Sequence, residues 1–213
     1  MTHTQLEAAL SSAERRHATL IERIRYQGSG VTLQEISLAS DAVLQAQRML
    51  AAARNEEHAV PFDIGFVPEA AAPSPSLLQS ESAAALVFGA MEILPDGIRK
   101  PVGCATVELE LCSVTKFGYP NDEALSGHPL SGKGLEAYGI FEVINSSWLE
   151  ALANQNRVSF PNTPRSSQRH FILTFHDSTF ECVARSLRGT VTDEPAVESC
   201  ARVFSRLFGT GSL

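Results

Sequence analysis

The chain has 213 residues, of which 44% are hydrophobic and 19% charged, so it can bury a substantial core. Its net charge of −7 argues against a nucleic-acid or anionic-membrane partner, because both need a basic surface. No run of about 18 apolar residues is present, which excludes a membrane-spanning helix, and the first residues lack the features of a signal peptide. We therefore expect a cytoplasmic protein with no nucleic-acid or membrane partner.

The four cysteines show no metal-binding or disulfide spacing. They stand at positions 104, 112, 182 and 200, and no two of them form a CxxC pair. Neither a zinc knuckle nor a disulfide framework is indicated. We expect reduced cysteines in a cytoplasmic protein.

The first 57 residues have the pattern of two amphipathic helices. Apolar positions recur with a 4-3-4-3-4 spacing over residues 4–26, and a similar spacing resumes after the glycine-rich residues 28–30. Thr32 and Glu35 have the spacing of a capping box at the start of the second helix. The pattern predicts an antiparallel helical hairpin over residues 1–57. Because two helices cannot bury their seam alone, we expect docking on the rest of the chain or a homodimer through residues 4–52.

Residues 58–80 differ in composition from the segments on either side. Proline and alanine dominate this segment, which predicts an extended linker. The third segment, residues 81–213, alternates apolar and polar residues in short runs and predicts an α+β domain. We expect one mostly antiparallel sheet of about five strands, at 86–93, 102–112, 138–144, 170–176 and 179–186. One or two helices, beginning at Ser147 and near Asp193, would pack on this sheet.

Residues 169–185 predict two strands joined by a two-residue turn at Asp177–Ser178. This turn would pair Thr174 with Glu181, and it would bring Glu181 within diagonal reach of His176. Side chains alternate across a strand, so one face is apolar and the other polar. The apolar face would hold Phe171, Leu173, Phe175, Phe180, Cys182 and Ala184, and the polar face His170, Thr174, His176, Thr179, Glu181 and Arg185.

The long connection from residue 117 to residue 134 is the second candidate for a functional element. It is too long for a hairpin loop, and it carries Asp122, Glu123 and His128 among rigid Pro and Gly residues. Long ordered loops are disproportionately functional. We expect this loop to fold over the polar face of hairpin 170–185 and to form a pocket there.

The residue types at this junction leave three interpretations open. In the first, His128, His176 and Glu181 bind zinc, iron or manganese. In the second, the site works without metal: His176 is the general base, Glu181 orients it, and Asp122 and Glu123 support it. Either site suits a hydrolysis, an isomerisation or an elimination. In the third interpretation, His176 and Glu181 form a surface pair that only holds the strand register.

Two kinds of partner follow from these interpretations. A small-molecule enzyme or binding protein would take an anionic ligand if Lys116, Arg157, Arg165 and Arg169 point towards the site. The alternative is a non-catalytic interaction protein, such as an inhibitor, immunity factor or adaptor, that uses the helical hairpin. An enzyme predicts a concave pocket under loop 117–134. An interaction protein predicts an exposed apolar stripe on the helices.

Overall fold

The structure, a computed structural model, describes residues 1–27, 30–70, 74–81, 83–95, 97–164 and 167–208. Within these ranges the helices are α1 (His3–Gln27), α2 (Leu33–Ala53), α3 (Ser147–Ser159) and α4 (Ala196–Phe208). The strands are β1 (His58–Pro61), β2 (Val67–Pro68), β3 (Ser76–Gln79), β4 (Ala84–Ile93), β5 (Arg99–Glu110), β6 (Val114–Gly118), β7 (Ile140–Ile144), β8 (Arg169–Thr174), β9 (Thr179–Ala184) and β10 (Ser186–Thr192). None of these helices combines the length and the apolarity that crossing a membrane requires.

The strands form two antiparallel sheets that face each other across the main core. The first sheet has the order β1-β7-β8-β9-β6, and the second has the order β10-β5-β4, with β2 and β3 both paired to β4. Phe88 of β4 meets Phe175, just after β8, with ring centroids 5.1 Å apart. The predicted apolar face of residues 169–185 is confirmed, since all six of its members lie in this core. The α+β class with an N-terminal helix pair is also confirmed, and the described residues form two five-stranded sheets.

The segment expected to be a linker contributes three of the strands. β1 pairs with β7 along one edge of the first sheet, and β2 and β3 pair with β4 in the second. Pro61 and Pro68 are compatible with these positions because each ends a short strand at the margin of its sheet, where a missing N–H is tolerated. Within this segment, residues 71–73 lie outside the described residues.

The helical hairpin packs on the sheets of its own chain through α2. The capping box predicted at the start of α2 is confirmed, with Thr32 and Glu35 bonded reciprocally. Farther along α2, Arg48 donates from Nε to the carbonyl of Ala59 (3.1 Å) and from Nη2 to the carbonyl of Gly134 (2.8 Å). Gly134 has φ +89°, and a Cβ there would lie 2.4 Å from Arg48 Cγ. The glycine therefore permits this close contact. Two residues of the predicted turn, Gly28 and Ser29, lie outside the described residues.

Replacing Arg48 by alanine should weaken this contact. Two carbonyl groups lose a charged donor, and we expect the free energy of unfolding to fall by about 1–3 kcal/mol, measured by urea denaturation. The matched control is Arg54→Ala, also at the C-terminal end of α2, where an exposed pair with Glu7 is removed. The free energy of unfolding of Arg54→Ala should fall by about 0.2–1 kcal/mol. Equal losses in the two variants would show that Arg48 does not anchor the hairpin.

The long loop of residues 117–134 packs against the outer face of the first sheet. Leu125, Leu130 and Leu135 form a buried cluster with Phe141 and Ile172 on the outer face of the sheet. The N-terminal end of α3 covers another part of this face, where the Trp148 and His170 rings are 5.0 Å apart. The histidines of β8 and its turn therefore lie beside two covering elements.

Candidate functional site

The turn between β8 and β9 differs from the predicted one and changes the neighbours of each histidine. Thr174 pairs with Thr179, and Ile172 pairs with Glu181. The ladder ends at the Thr174–Thr179 pair, and the Phe175 N–H bonds to the Ser178 carbonyl (2.8 Å), so His176 and Asp177 form the tip of the turn in place of Asp177 and Ser178. A shift of two residues preserves the face of every side chain. It moves Glu181 next to His170, and the predicted diagonal contact between Glu181 and His176 is wrong.

His176 pairs instead with a carboxylate of the long loop. Its Nδ1 lies 3.0 Å from Oδ2 of Asp122, and the Tyr138 hydroxyl bonds to the same carboxylate oxygen and lies 3.1 Å from Nδ1. The Asp122 N–H also donates to the His176 carbonyl (3.0 Å), which ties the loop to the turn. We call Tyr138, Asp122 and His176 the surface triad. The His176 side chain is 57% exposed, and its Nε2 lies 4.0 Å from Asp177.

The contacts within the surface triad favour one protonation pattern. The hydrogen bond from Tyr138 lowers the pKa of Asp122, with a smaller contribution from His176. The same carboxylate raises the pKa of Tyr138 to about 12 and raises the pKa of His176 above 6.5. An ionised Asp122 accepts hydrogen bonds only, so Nδ1 of His176 carries the proton that it donates. In the neutral ring, Nε2 is then the basic nitrogen, on the side away from Asp122.

A cavity of about 440 Å³ lies beside the surface triad and shares Tyr138 with it. Phe62, Phe66 and Ile140 give this cavity apolar walls, and its charged lining residues are Arg99, Asp63, Glu92 and Glu136. Ligand sites in proteins typically combine such apolar walls with a few polar groups. Tyr138 connects this cavity to the surface triad.

The histidine of β8, His170, is buried in a separate hydrogen-bond chain. His170 is only 2% exposed, and its Nδ1 lies 2.8 Å from Oγ of Ser146. Its Nε2 lies 2.9 Å from Oε2 of Glu181. Ser146 is the N-cap of α3 and accepts the Leu149 N–H (3.1 Å). We call Ser146, His170 and Glu181 the buried relay.

Cationic and aromatic groups surround the buried relay. Lys116 Nζ lies 3.8 Å from Oε1 of Glu181 and 3.7 Å from the centroid of the Trp148 ring. Burial alone would raise the pKa of Glu181, but the hydrogen bond from His170 and the charge of Lys116 bring it below the usual range. Burial lowers the pKa of His128, which lies within electrostatic reach of Glu181 and His170. The carboxylate of the relay is therefore ionised at neutral pH.

The predicted site residues are divided between these two clusters. Asp122 and His176 belong to the surface triad, whereas Glu181 and His128 belong to or border the buried relay. Glu123 is exposed, and its backbone N–H donates to Asp122 Oδ1 (2.8 Å). Within the described residues, no group of three or more His, Cys, Asp or Glu side chains is arranged to hold a metal ion.

Two of the four basic residues considered for an anionic ligand, Arg157 and Arg169, line one cavity together with Glu142 and Glu150. Lys116 borders the buried relay, and Arg169 bonds to Glu142 through Nε (2.8 Å). Arg157 bonds to Asn154 on its own helix (2.6 Å). Arg165 lies outside the described residues.

Two functional candidates, Tyr138 and Ser146, are absent from the sequence-based site. Tyr138 has φ +58°, a backbone conformation that the sequence pattern does not indicate. Ser146 is the N-cap immediately before the helix start predicted at Ser147, and serine is a good residue at that position. The chain matches no protein-family model, no curated protein and no solved structure.

Proposed function

We propose that the protein is a small-molecule enzyme in which His176 acts as a general acid–base. The observation that carries this proposal is the hydrogen bond of its Nδ1 to Asp122, in a side chain that is more than half exposed. A histidine held by a carboxylate through one nitrogen can transfer protons through the other. The chemistry fits a hydrolysis, an isomerisation or an elimination.

The neighbouring residues have distinct roles in this proposal. Asp122 holds the imidazole in one tautomer, and Tyr138 orients Asp122 through the hydroxyl bond. A substrate bound in the 440 Å³ cavity would contact Phe62 and Phe66, and Arg99 would bond to a polar group on it. Tyr138 lines the cavity and contacts His176, which supports a connection between the bound substrate and the imidazole.

We propose the metal-free form of this chemistry because of the spacing along β8. Glu181 pairs with Ile172, four residues before His176. Four residues of a strand span about 13 Å, which is too far for both side chains to bind one ion. Zinc, iron or manganese bound jointly by His128, His176 and Glu181 is therefore not part of the proposal.

The Asp122→Asn variant tests this arrangement. Asp122 is the main cause of the raised His176 pKa, so its neutralisation should bring that pKa down towards 6.5. A general base works in its neutral form, so activity of the wild type should rise with pH through a midpoint above 6.5. In Asp122→Asn this midpoint should move to lower pH. Imidazole NMR titration measures the pKa directly, and the rate against pH measures its effect.

Glu123→Gln is the matched control because it removes one neighbouring carboxylate that is not bonded to the imidazole. It should shift the His176 pKa much less than Asp122→Asn does. Equal shifts in both variants would mean that general surface charge, rather than the Asp122 hydrogen bond, sets the state of His176. That outcome would remove the basis of the proposal.

A second candidate is an interaction protein that uses the helical hairpin, and exposed apolar side chains favour it. Leu33 is 86% exposed and Leu38 is 58% exposed on α2, and Ile21 and Ile24 of α1 are also exposed. Such side chains could cover a second copy of the chain, as in the dimer predicted through residues 4–52, or a different protein.

A further inference from the structure

The buried relay has the connectivity of an activated serine. Glu181 is ionised and accepts hydrogen bonds only, so His170 must carry its proton on Nε2 to bond with it. In the neutral ring, Nδ1 is then a lone-pair acceptor. The Ser146 hydroxyl, 2.8 Å away, donates to it. Serine, histidine and carboxylate are thus connected in the order required for a base to withdraw the serine proton.

We propose that Ser146 is a nucleophile for acyl transfer from a carboxylic ester, with His170 as its base and Glu181 as the residue that orients the base. Nucleophilic triads recur on unrelated folds and are recognised by geometry and roles. In the chymotrypsin triad the serine bonds to Nε2 and the carboxylate to Nδ1. In this chain the two nitrogens are exchanged, because Nδ1 of His170 bonds to the serine and Nε2 bonds to the carboxylate. This activity is separate from the chemistry proposed for His176.

The packing around His170 keeps the relay in one arrangement. The edge of Trp148 meets the imidazole nearly at a right angle, with ring centroids 5.0 Å apart. Lys116 sits over the face of Trp148 and also faces the second oxygen of Glu181 (3.8 Å). A base whose ring and two nitrogens all contact neighbouring groups loses little conformational freedom when it accepts a proton.

A cavity gives a substrate access to Ser146. It has a volume of about 530 Å³ and lies between α3 and the outer side of β7 and β8. Leu149 and Ala153 line it on the helix side, while Asn145 and Arg157 add polar groups. Its size falls in the range of small-molecule sites. An ester with a short apolar acyl group and a polar leaving group matches this lining, which also includes Glu142, Glu150 and Arg169.

The proposed reaction has two balanced stages. The Ser146 oxygen forms a bond to the ester carbonyl carbon, and the serine proton moves to Nδ1 of His170. When the C–O bond to the leaving alcohol breaks, His170 returns this proton to the alcohol, and an acyl-serine remains. Water then attacks the carbonyl carbon of the acyl-serine and gives a proton to Nδ1 of His170. The bond from this carbon to the serine oxygen breaks, His170 returns the proton to that oxygen, and the acid is released. The Leu149 N–H, already bonded to the serine oxygen, favours negative charge on it.

A fluorophosphonate probe, which reacts with activated serines, tests this proposal on the full chain. We expect one adduct per molecule, assigned to Ser146 by peptide mass spectrometry, and slow release of p-nitrophenol from p-nitrophenyl acetate. Glu181→Gln should slow the labelling at least tenfold because the base loses its orienting carboxylate. Ser147→Ala is the matched control: it removes the adjacent exposed hydroxyl, which bonds to Glu57, and should label like the wild type.

Ser146→Ala removes a helix cap as well as the nucleophile, so Ser146→Asn provides a second test. Asparagine caps helices well but cannot form the adduct. A folded Ser146→Asn protein without the adduct supports the proposal. No labelling of the wild type, or equal labelling of the wild type and Ser146→Asn, would overturn it and leave Ser146 as a cap alone. His176→Ala should label normally, so this proposal and the one for His176 can fail independently.

Discussion

The His170→Ala variant should lose about 3–5 kcal/mol of its free energy of unfolding, because it leaves the ionised Glu181 carboxylate without its hydrogen-bond partner in a largely buried site. In the wild type, His170 is almost fully buried and bonds to both Ser146 and Glu181. Without the imidazole, the carboxylate and the hydroxyl remain in the structure without this partner, next to a cavity. Urea denaturation followed by circular dichroism measures the loss.

The dependence of stability on pH provides a second readout of the same variant. The pKa of Glu181 is lowered on folding, so its contribution is fully present above the unfolded value near 4.5. This contribution is lost as the pH falls through the folded-state pKa. The hydrogen bond from His170 causes much of the lowering of the Glu181 pKa. The His170→Ala variant should therefore lose less stability than the wild type as the pH falls below 4.5. A variant as stable as the wild type would show that the relay does not support the fold.

The His176→Ala variant should lose a factor of about 10²–10⁴ in turnover, the usual contribution of a general acid–base. Its folding should be unaffected, because the side chain is exposed and only its contact with Asp122 and Tyr138 is lost. The measurement begins with a screen of small esters, phosphoesters and carbonyl acids with exchangeable α-protons. The rate for the best substrate is then compared between wild type and variant.

His3→Ala is the control for this comparison. His3 is also an exposed histidine, but it lies on α1 and bonds to the Ala53 carbonyl (3.0 Å). The His3→Ala variant should have the same turnover as the wild type. Full activity in His176→Ala, with an unchanged melting temperature in both variants, would remove His176 from the mechanism.

The inward face of β8 and β9 could be predicted from the sequence, whereas their register could not. Alternation with a period of two places Phe171 and Cys182 in the core for any even shift of one strand against the other. A turn centred on residues 176–177 and one centred on 177–178 therefore fit the same pattern equally well, since their registers differ by two residues. The difference decides whether Glu181 meets His170 or His176. Local sequence does not settle it, because the chosen turn depends on Phe175 packing against Phe88 and on Asp122 binding His176.

The strands of residues 58–80 were missed for a different reason. β1, β2 and β3 have only two to four residues each, too few to show an alternation. Their prolines and alanines resemble a linker in composition, and only their pairing with β7 and β4 distinguishes them. The separation of the site residues into two clusters follows from such long-range pairing as well. It brings Tyr138 to Asp122 and Ser146 to His170.

The contact of Arg48 with the Gly134 carbonyl connects the helical hairpin to the candidate site. Arg48 also pairs with Glu136 (3.6 Å), two residues before Tyr138 of the surface triad. A partner that displaced α2 would therefore act on the backbone that positions Tyr138, and through it on Asp122 and His176. Linkage makes such a coupling reciprocal, so a substrate beside Tyr138 would change the affinity of the hairpin for its partner. Catalysis at the sheet and recognition at the helices would then be two coupled properties of one allosteric protein.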